Sequence, residues 1–350
     1  MPADCVSTPW PPQTELAVDP TWFPTSFDIA TEEIGFHRLS GDSIAAAAFL
    51  DQRTYGTEPP RLRVPWRQLP TAAPSTPPLS WIFHTGFCGS TLLARILQKP
   101  PRVMVLREPR VLLDLAHARH RIADAAATGG LTAALSLLAR PWVAGGTCLV
   151  KPTNQTNNLL PQLLQASNGR AILLYSSLPE FILSRCSKLP AAERFVRWLA
   201  QHLLRQSRLA DALSVPWNHE FHFIEACVLA WHAQIEIFAA ALAVDAADRL
   251  RSLDFATLLA APDRIVPACA RWLGLGQDDG FWQARATAEM RRNAKHVDRD
   301  FDAGARARER SALRDRHRGL LDAAMNWNEH VVAPVASMPA NWKPLLAASP

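Results

Sequence analysis

Tyrosine is almost missing from this chain of 350 residues, which has only two, and its six cysteines never form a C-x-x-C pair. Without such pairs the sequence predicts neither a zinc site nor a disulfide framework, and scattered cysteines favour a reducing cytoplasm. No motif combines aromatic and basic residues, so the sequence argues against nucleic-acid binding. No long apolar run is free of charge, and no basic segment precedes an apolar core at the start. We therefore expect neither a membrane span nor a signal peptide.

What is present is the composition of a globular protein, with 48% hydrophobic and 20% charged residues. Lysine and arginine exceed aspartate and glutamate by 37 to 32, a formal net charge of +5. This excess agrees with an anionic ligand without requiring one. The length suits one large α/β domain with or without an added lobe.

The most informative segment, residues 80–97, has the order apolar strand, glycine turn and helix start. Gly86 and Gly89 permit a tight turn, and Ser90 and Thr91 are residues that begin a helix well. Such a junction directs backbone N–H groups and the positive end of a helix dipole to one point, which favours phosphate or sulfate. The alternative is a glycine-containing turn that binds no ligand.

The spacing within this segment excludes two common phosphate loops. Only Phe87 and Cys88 separate the two glycines, and no lysine precedes Ser90, so the kinase and ATPase pattern is absent. The dinucleotide pattern G-x-G-x-x-G is absent as well. An anion site here is therefore of another type.

The chain divides by composition into a proline-rich lobe or arm at 1–78, a main domain at 79–330 and a tail at 331–350. In the lobe we predict a strand pair, at 27–34 and 35–39, and a short helix at 42–50. The main domain alternates apolar strands with helices, which predicts a three-layer α/β domain of P-loop type with a parallel sheet. Later helices are predicted at 192–213, 222–244 and 255–273.

The run Cys-Gly-Ser-Thr-Leu-Leu at 88–93 resembles the 5′-phosphosulfate loop of sulfotransferases, which commonly reads Arg/Lys-Ser-Gly-Thr-Ser/Thr-Leu/Trp. Further segments at 106–112, 150–154, 171–185 and 251–275 resemble the tyrosylprotein and bacterial branches of that family in the same order. The resemblance implies 3′-phosphoadenosine 5′-phosphosulfate (PAPS) as donor, no metal, and a small-molecule or peptide acceptor with a hydroxyl or amine. It assigns the phosphosulfate to Gly86, Phe87, Cys88, Gly89, Ser90 and Thr91.

The same resemblance implies two catalytic residues. Glu108 lies in a segment similar to the one that carries the family's general base, and Lys151 in one whose lysine stabilises the leaving oxygen. Each follows a predicted strand and precedes a proline, where side chains of a parallel sheet reach a ligand. Simpler interpretations stay open: a glutamate favoured at a helix start, and a surface lysine at a strand exit.

Two positions depart from the family pattern. Phe87 stands where the loop has a basic residue, and Ser176 stands where the 3′-phosphate site has an arginine, while Ser184 matches the family's serine. A hydroxyl brings no charge, and charge-assisted hydrogen bonds are the strong ones. We therefore expect nearby basic residues to contribute to the donor site; the candidates are Arg185, Lys188, Arg291, Arg292 and Lys295.

These departures keep two other functions open. One is another group transferase that uses ATP or a different nucleotide on the same scaffold. The other is a binding protein that has the fold without the activity. The sequence does not identify the acceptor and gives no indication of oligomeric state.

Overall fold

The structure is a computed structural model, and it describes residues 13–69, 78–118, 125–187, 190–205, 207–216, 218–293, 296–300, 303–339 and 342–346. By contacts the chain divides into two compact units. The first comprises Met1–Leu79 and Lys99–Cys148, and the second comprises Ser80–Gln98 and Leu149–Pro350.

The strands are β1 (Trp22–Asp28), β2 (Glu33–Arg38), β3 (Leu62–Pro65), β4 (Ser80–His84), β5 (Val103–Arg107), β6 (Thr147–Lys151), β7 (Ala171–Tyr175), β8 (Leu250–Asp254), β9 (Arg292–Asn293) and β10 (His296–Asp300). The helices are α1 (Gln13–Val18), α2 (Gly41–Ala46), α3 (Gln52–Tyr55), α4 (Ser90–Ile96), α5 (Arg110–His117), α6 (Ala125–Leu138), α7 (Leu160–Ala166), α8 (Leu178–Cys186), α9 (Ala191–Leu204), α10 (Arg208–Ala212), α11 (Phe223–Ala243), α12 (Phe255–Ala260), α13 (Pro262–Leu273), α14 (Asp279–Met290), α15 (Ala303–Arg316) and α16 (Arg318–Trp327). Short 3-10 helices cover Trp66–Gln68 and Asn154–Leu159, and a π-helical turn covers Asn328–Val332.

The central sheet has five strands in the order β5-β6-β4-β7-β8, and β4 pairs in parallel with both β6 and β7. Strand β4 is buried along its whole length, as expected for the middle strand of a sheet between helices. The predicted α/β class with a parallel sheet is therefore confirmed. Because the strands are parallel, the residues that follow β4, β6 and β7 emerge at the same edge.

The first unit contains a smaller antiparallel sheet in the order β1-β2-β3. A tight turn ends β1, since the Asp28 Oδ1 atom accepts the Ala30 N–H at 2.8 Å, and Glu32 has a left-handed φ of 58°. The predicted strand pair at 27–34 and 35–39 therefore has the wrong boundaries, because residues in the middle of its first strand form this turn.

Two predicted helices are each divided in the structure. The helix predicted at 192–213 consists of α9 and α10, because the Ser207 Oγ atom accepts a backbone N–H two residues later and begins a new helix. The stretch at 255–273 consists of α12 and α13, and the second begins at Pro262, which has no N–H to continue the first.

Helix α11 has 21 residues and is long and apolar enough to cross a membrane by length and composition. The sequence expectation concerned long apolar runs free of charge, and α11 carries Glu225 and Glu236. In the structure, 72% of its most apolar 18-residue stretch is buried, and the helix packs against α8 and α9. A helix that is apolar on all sides is also what the core of a large domain requires, and α11 has that place in the second unit.

The segment 342–346 lies along strand β8. The Ser252 N–H donates to the Lys343 carbonyl at 2.6 Å, and the Leu345 N–H donates to the Ser252 carbonyl at 3.0 Å. Trp342 stacks on Tyr175 with ring centroids 4.4 Å apart, and the Lys343 ammonium lies 3.2 Å from an Asp245 carboxylate oxygen. Segment 342–346 is thus held by backbone, aromatic and charged contacts.

Candidate anion-binding site

The loop between β4 and α4 has an unusual backbone. Gly86, Phe87 and Gly89 have φ values of 86°, 53° and 73°, all in the left-handed region. Glycine adopts such values freely, whereas phenylalanine does so at a cost of order 1–2 kcal/mol. Strained residues of this kind concentrate at functional sites, where the surrounding structure holds them.

Gly89 also allows a close approach to α12. A Cβ atom built at Gly89 would lie 1.9 Å from the Phe255 Cε2 atom, far inside contact distance. The loop and the start of α12 therefore pack together only if residue 89 has no side chain. The sequence predicts a turn at Gly89, and the packing against Phe255 separately requires a glycine at this position.

We expect Gly89→Ala to lower the free energy of unfolding by about 3 kcal/mol or more, because it adds both a clash and backbone strain. Gly274→Ala is a matched control: its φ is 69°, and no described atom outside its chain neighbours lies within 4 Å of the added Cβ. The control should lose only about 1–2 kcal/mol. Chemical denaturation measures both, and equal losses would contradict the packing argument.

Arg185, on α8, is a buried cation beside this loop. Its side chain is about 1% exposed, and its Nε and Nη2 atoms have no hydrogen-bond partner among the residues that the structure describes. Three aromatic rings surround the guanidinium carbon, at 4.3 Å for Phe87, 4.5 Å for Phe181 and 5.3 Å for Phe195. Burial lowers the pKa of Arg185 to about 10.

The unpaired side of this guanidinium faces the loop. A Cβ atom at Gly86 would lie 3.1 Å from the Arg185 Nη2 atom and 3.2 Å from the Asn154 Nδ2 atom. Rings provide part of the stabilisation that a buried arginine needs, but they leave its N–H donors without acceptors. An anion at the loop would supply those acceptors.

Lys151 is a second buried cation, with a side chain about 1% exposed at the end of β6. Its charge and that of Arg185 both lower the pKa of His84, so both act electrostatically on the end of β4. The structure thus confirms that Lys151 ends a buried strand and contradicts the simpler interpretation of a surface lysine.

A network of buried side-chain amides supports the residues that precede the loop. The Gln234 Oε1 atom accepts hydrogen bonds from Asn154 at 3.0 Å and from Asn157 at 3.2 Å. The same Asn157 amide donates to the His84 carbonyl at 3.0 Å, and Asn154 donates to the Thr85 carbonyl at 3.3 Å. Helix α11 and the 3-10 helix after β6 therefore fix the carbonyls that precede Gly86.

The remaining loop residues have structural contacts. The Cys88 thiol donates to the Leu174 carbonyl at 3.4 Å, and burial raises its pKa, so it is a neutral thiol. Ser90 is buried in the first turn of α4, whereas Thr91 is only half-buried. The loop thus brings together all six residues that the sequence assigned to it.

Ser176 and Ser184 differ in what they contact. Ser176 follows β7 and is buried, and the structure gives its hydroxyl no partner within the described chain. The Ser184 hydroxyl donates to the Glu180 carbonyl at 2.8 Å and accepts from the Arg310 Nη2 atom at 3.1 Å. Arg310 also pairs with the Glu180 carboxylate, which Arg314 reaches at 3.0 Å.

Of the other basic residues named from the sequence, Arg291 is exposed at the end of α14 and Arg292 belongs to the short strand β9. Lys188 and Lys295 lie outside the described residues. The arginine that does contact Ser184 is Arg310, which sequence reasoning missed. Its signal was weak, because it is one of many arginines in a basic helix.

Glu108 lies in the first unit, directly after β5. Its φ of 53° is left-handed, which is uncommon for a residue with a side chain. The backbone of Leu50 binds the chain on both sides of Glu108. The Leu50 N–H donates to the Arg107 carbonyl at 2.7 Å, and the Arg110 N–H donates to the Leu50 carbonyl at 3.0 Å. The predicted position at a strand end is confirmed, and the strain marks the residue as a functional candidate.

No family model matches this chain, and no curated protein matches it. Among solved structures the chain is similar to a sulfotransferase from Alicyclobacillus acidocaldarius, with 13% sequence identity and a TM-score of 0.37. That match covers 64% of this chain and 97% of the other. A likeness of this size does not indicate which residues act, so the functional argument rests on the site itself.

Proposed function

We propose that this protein transfers a sulfuryl group from PAPS to a hydroxyl or amine. The observation that carries the proposal is Arg185, a buried cation whose unpaired N–H groups face Gly86 of the loop. A buried charge without a partner is costly, and such a charge beside a glycine loop at the edge of a parallel sheet suits an anionic ligand.

The charge that Phe87 does not provide is supplied from α8 in this proposal. The Phe87 ring stacks against Arg185, so the aromatic residue supports a cation instead of being one. The Ser176 hydroxyl, which has no partner among the described residues, is the group available to a second phosphate, whereas Arg310 already binds Glu180. These residues fit a donor that carries two separate anionic groups.

The reaction requires a proton acceptor and a group that stabilises the leaving phosphate. In the proposal Glu108 takes the proton of the acceptor O–H or N–H while a new bond forms to sulfur. The bond between sulfur and the phosphate oxygen breaks, and its electron pair stays on the phosphate. Lys151 and Arg185 stabilise that negative charge; the resemblance, and not the geometry, assigns the role of Glu108.

Calorimetric titration with 3′-phosphoadenosine 5′-phosphate (PAP), the desulfonated donor, tests the proposal directly. We expect PAP to bind at least about tenfold more tightly than ATP or AMP, because only PAP carries a 3′-phosphate. A preference for ATP would favour a different group transferase. No binding of any of the three nucleotides would leave a protein with this fold but without this donor site.

A further inference from the structure

The imidazole ring of His84, the last residue of β4, makes hydrogen bonds to two backbone segments, one after β4 and one after β6. Its Nδ1 atom accepts the Gly86 N–H at 3.0 Å, and its Nε2 atom lies 2.9 Å from the Pro152 carbonyl oxygen. An amide N–H only donates and a carbonyl only accepts, so Nδ1 carries no hydrogen and Nε2 carries one. The contacts therefore specify a neutral imidazole in a single tautomer.

The surroundings of the ring support the same state. His84 is almost fully buried, and its burial, the charge of Lys151 on β6 and the charge of Arg185 on α8 lower its pKa well below the usual value. A proton on Nδ1 would also point at the Gly86 N–H and break that hydrogen bond. Protonation is therefore opposed by desolvation, by two cations and by geometry.

The two bonds of the ring hold the two parts of the site that carry charge. On one side His84 holds Gly86, whose left-handed backbone leads into Phe87 and places the Phe87 ring 4.3 Å from the Arg185 guanidinium carbon. On the other side it holds Pro152, the residue directly after Lys151. The Gly86 N–H is thus used within the protein.

We propose that His84 is the positioning residue of this site: one neutral imidazole fixes the glycine loop and the Lys151 strand end relative to each other. Both cations are then directed at the same bound anion. The statement about the anion rests on the proposed function. The statements about the tautomer and the attachment of the loop do not, and they can be tested without a ligand.

The first experiment uses the unliganded protein labelled with ¹⁵N at histidine. We expect His84, assigned by its loss in His84→Asn, to show an unprotonated Nδ1 and a protonated Nε2 from pH 8 down to about pH 5, although free histidine titrates within that range. In a uniformly ¹⁵N-labelled sample, the Gly86 amide should exchange slowly with solvent and faster in His84→Leu. A ring that becomes doubly protonated near pH 6.5, or unchanged Gly86 exchange in His84→Leu, would overturn the proposal.

The second experiment compares PAP affinity among variants with similar thermal stability. His84→Leu removes both bonds and should weaken PAP binding by about tenfold or more, the equivalent of 1.4 kcal/mol. His84→Asn retains an acceptor for the Gly86 N–H and should recover part of that loss, a rescue that a packing role would not produce. The exposed His330→Leu is the control and should bind as the wild type does.

Equal affinity of His84→Leu and wild type would refute the positioning role. If the wild type binds no PAP, the proposed function fails, while the ¹⁵N and exchange measurements still decide whether His84 holds the loop.

Discussion

Replacing Arg185 with methionine is expected to remove PAP binding and at the same time to stabilise the protein without ligand. The wild-type guanidinium is buried among Phe87, Phe181 and Phe195 with two of its nitrogen atoms unpaired. Methionine fills most of the same space and has no charge to desolvate. We expect the free energy of unfolding to rise by about 1–3 kcal/mol, because replacing buried charge with apolar side chains is often stabilising.

The loss of binding should be large, about 100-fold or more, since a buried charge-assisted pair with a phosphate or sulfate is among the strong interactions. Calorimetry with PAP and urea denaturation measure the two effects on the same variant. Arg318→Met, at an arginine whose side chain is 71% exposed, is the matched control and should change neither quantity. An Arg185→Met protein that is clearly less stable than wild type would show that the guanidinium is paired in the folded chain.

Replacing Glu108 with glutamine is expected to leave PAP affinity unchanged and to lower the rate of transfer by about 100- to 10,000-fold. Glutamine has the same shape and keeps the local hydrogen-bonding capacity, but its amide does not accept a proton at neutral pH. The left-handed backbone of Glu108 tolerates both residues equally, so the folded structure should be retained.

The measurement is release of PAP from PAPS in the presence of a panel of hydroxyl and amine acceptors. Glu193→Gln, at a glutamate that pairs with Arg197 on the surface of α9, provides the control for the chemical change. Unchanged turnover in Glu108→Gln would remove Glu108 from the mechanism, while reduced PAP affinity would indicate a binding role instead.

The sequence predicted the central sheet well because its strands are short apolar runs that alternate with helices along the chain. The turn at 86–89 was equally clear, since two glycines stand close together after such a run. Helix boundaries were less predictable: Ser207 and Pro262 both interrupt stretches whose apolar pattern continues past them. A local capping bond or a missing N–H decides such breaks, and neither changes the periodicity.

The site was predicted in part. Lys151 and Glu108 lie at strand ends as expected, because the apolar run that precedes each residue indicates where its strand ends. The stack of Arg185 on Phe87 depends on how α8 packs on the loop, and no pattern along the chain shows it. The same is true of Gln234, a polar residue in an apolar helix whose partners are about 80 residues away in sequence.

The segment 342–346 has a consequence for how this protein behaves at high concentration. The outermost strand of a sheet offers unpaired N–H and C=O groups to other molecules, which is a common route to aggregation. At the middle of β8 both backbone groups of Ser252 are already bound by segment 342–346. Pairing with another copy at this point would first have to displace Lys343 and Leu345, so this part of the β8 edge is protected from self-association.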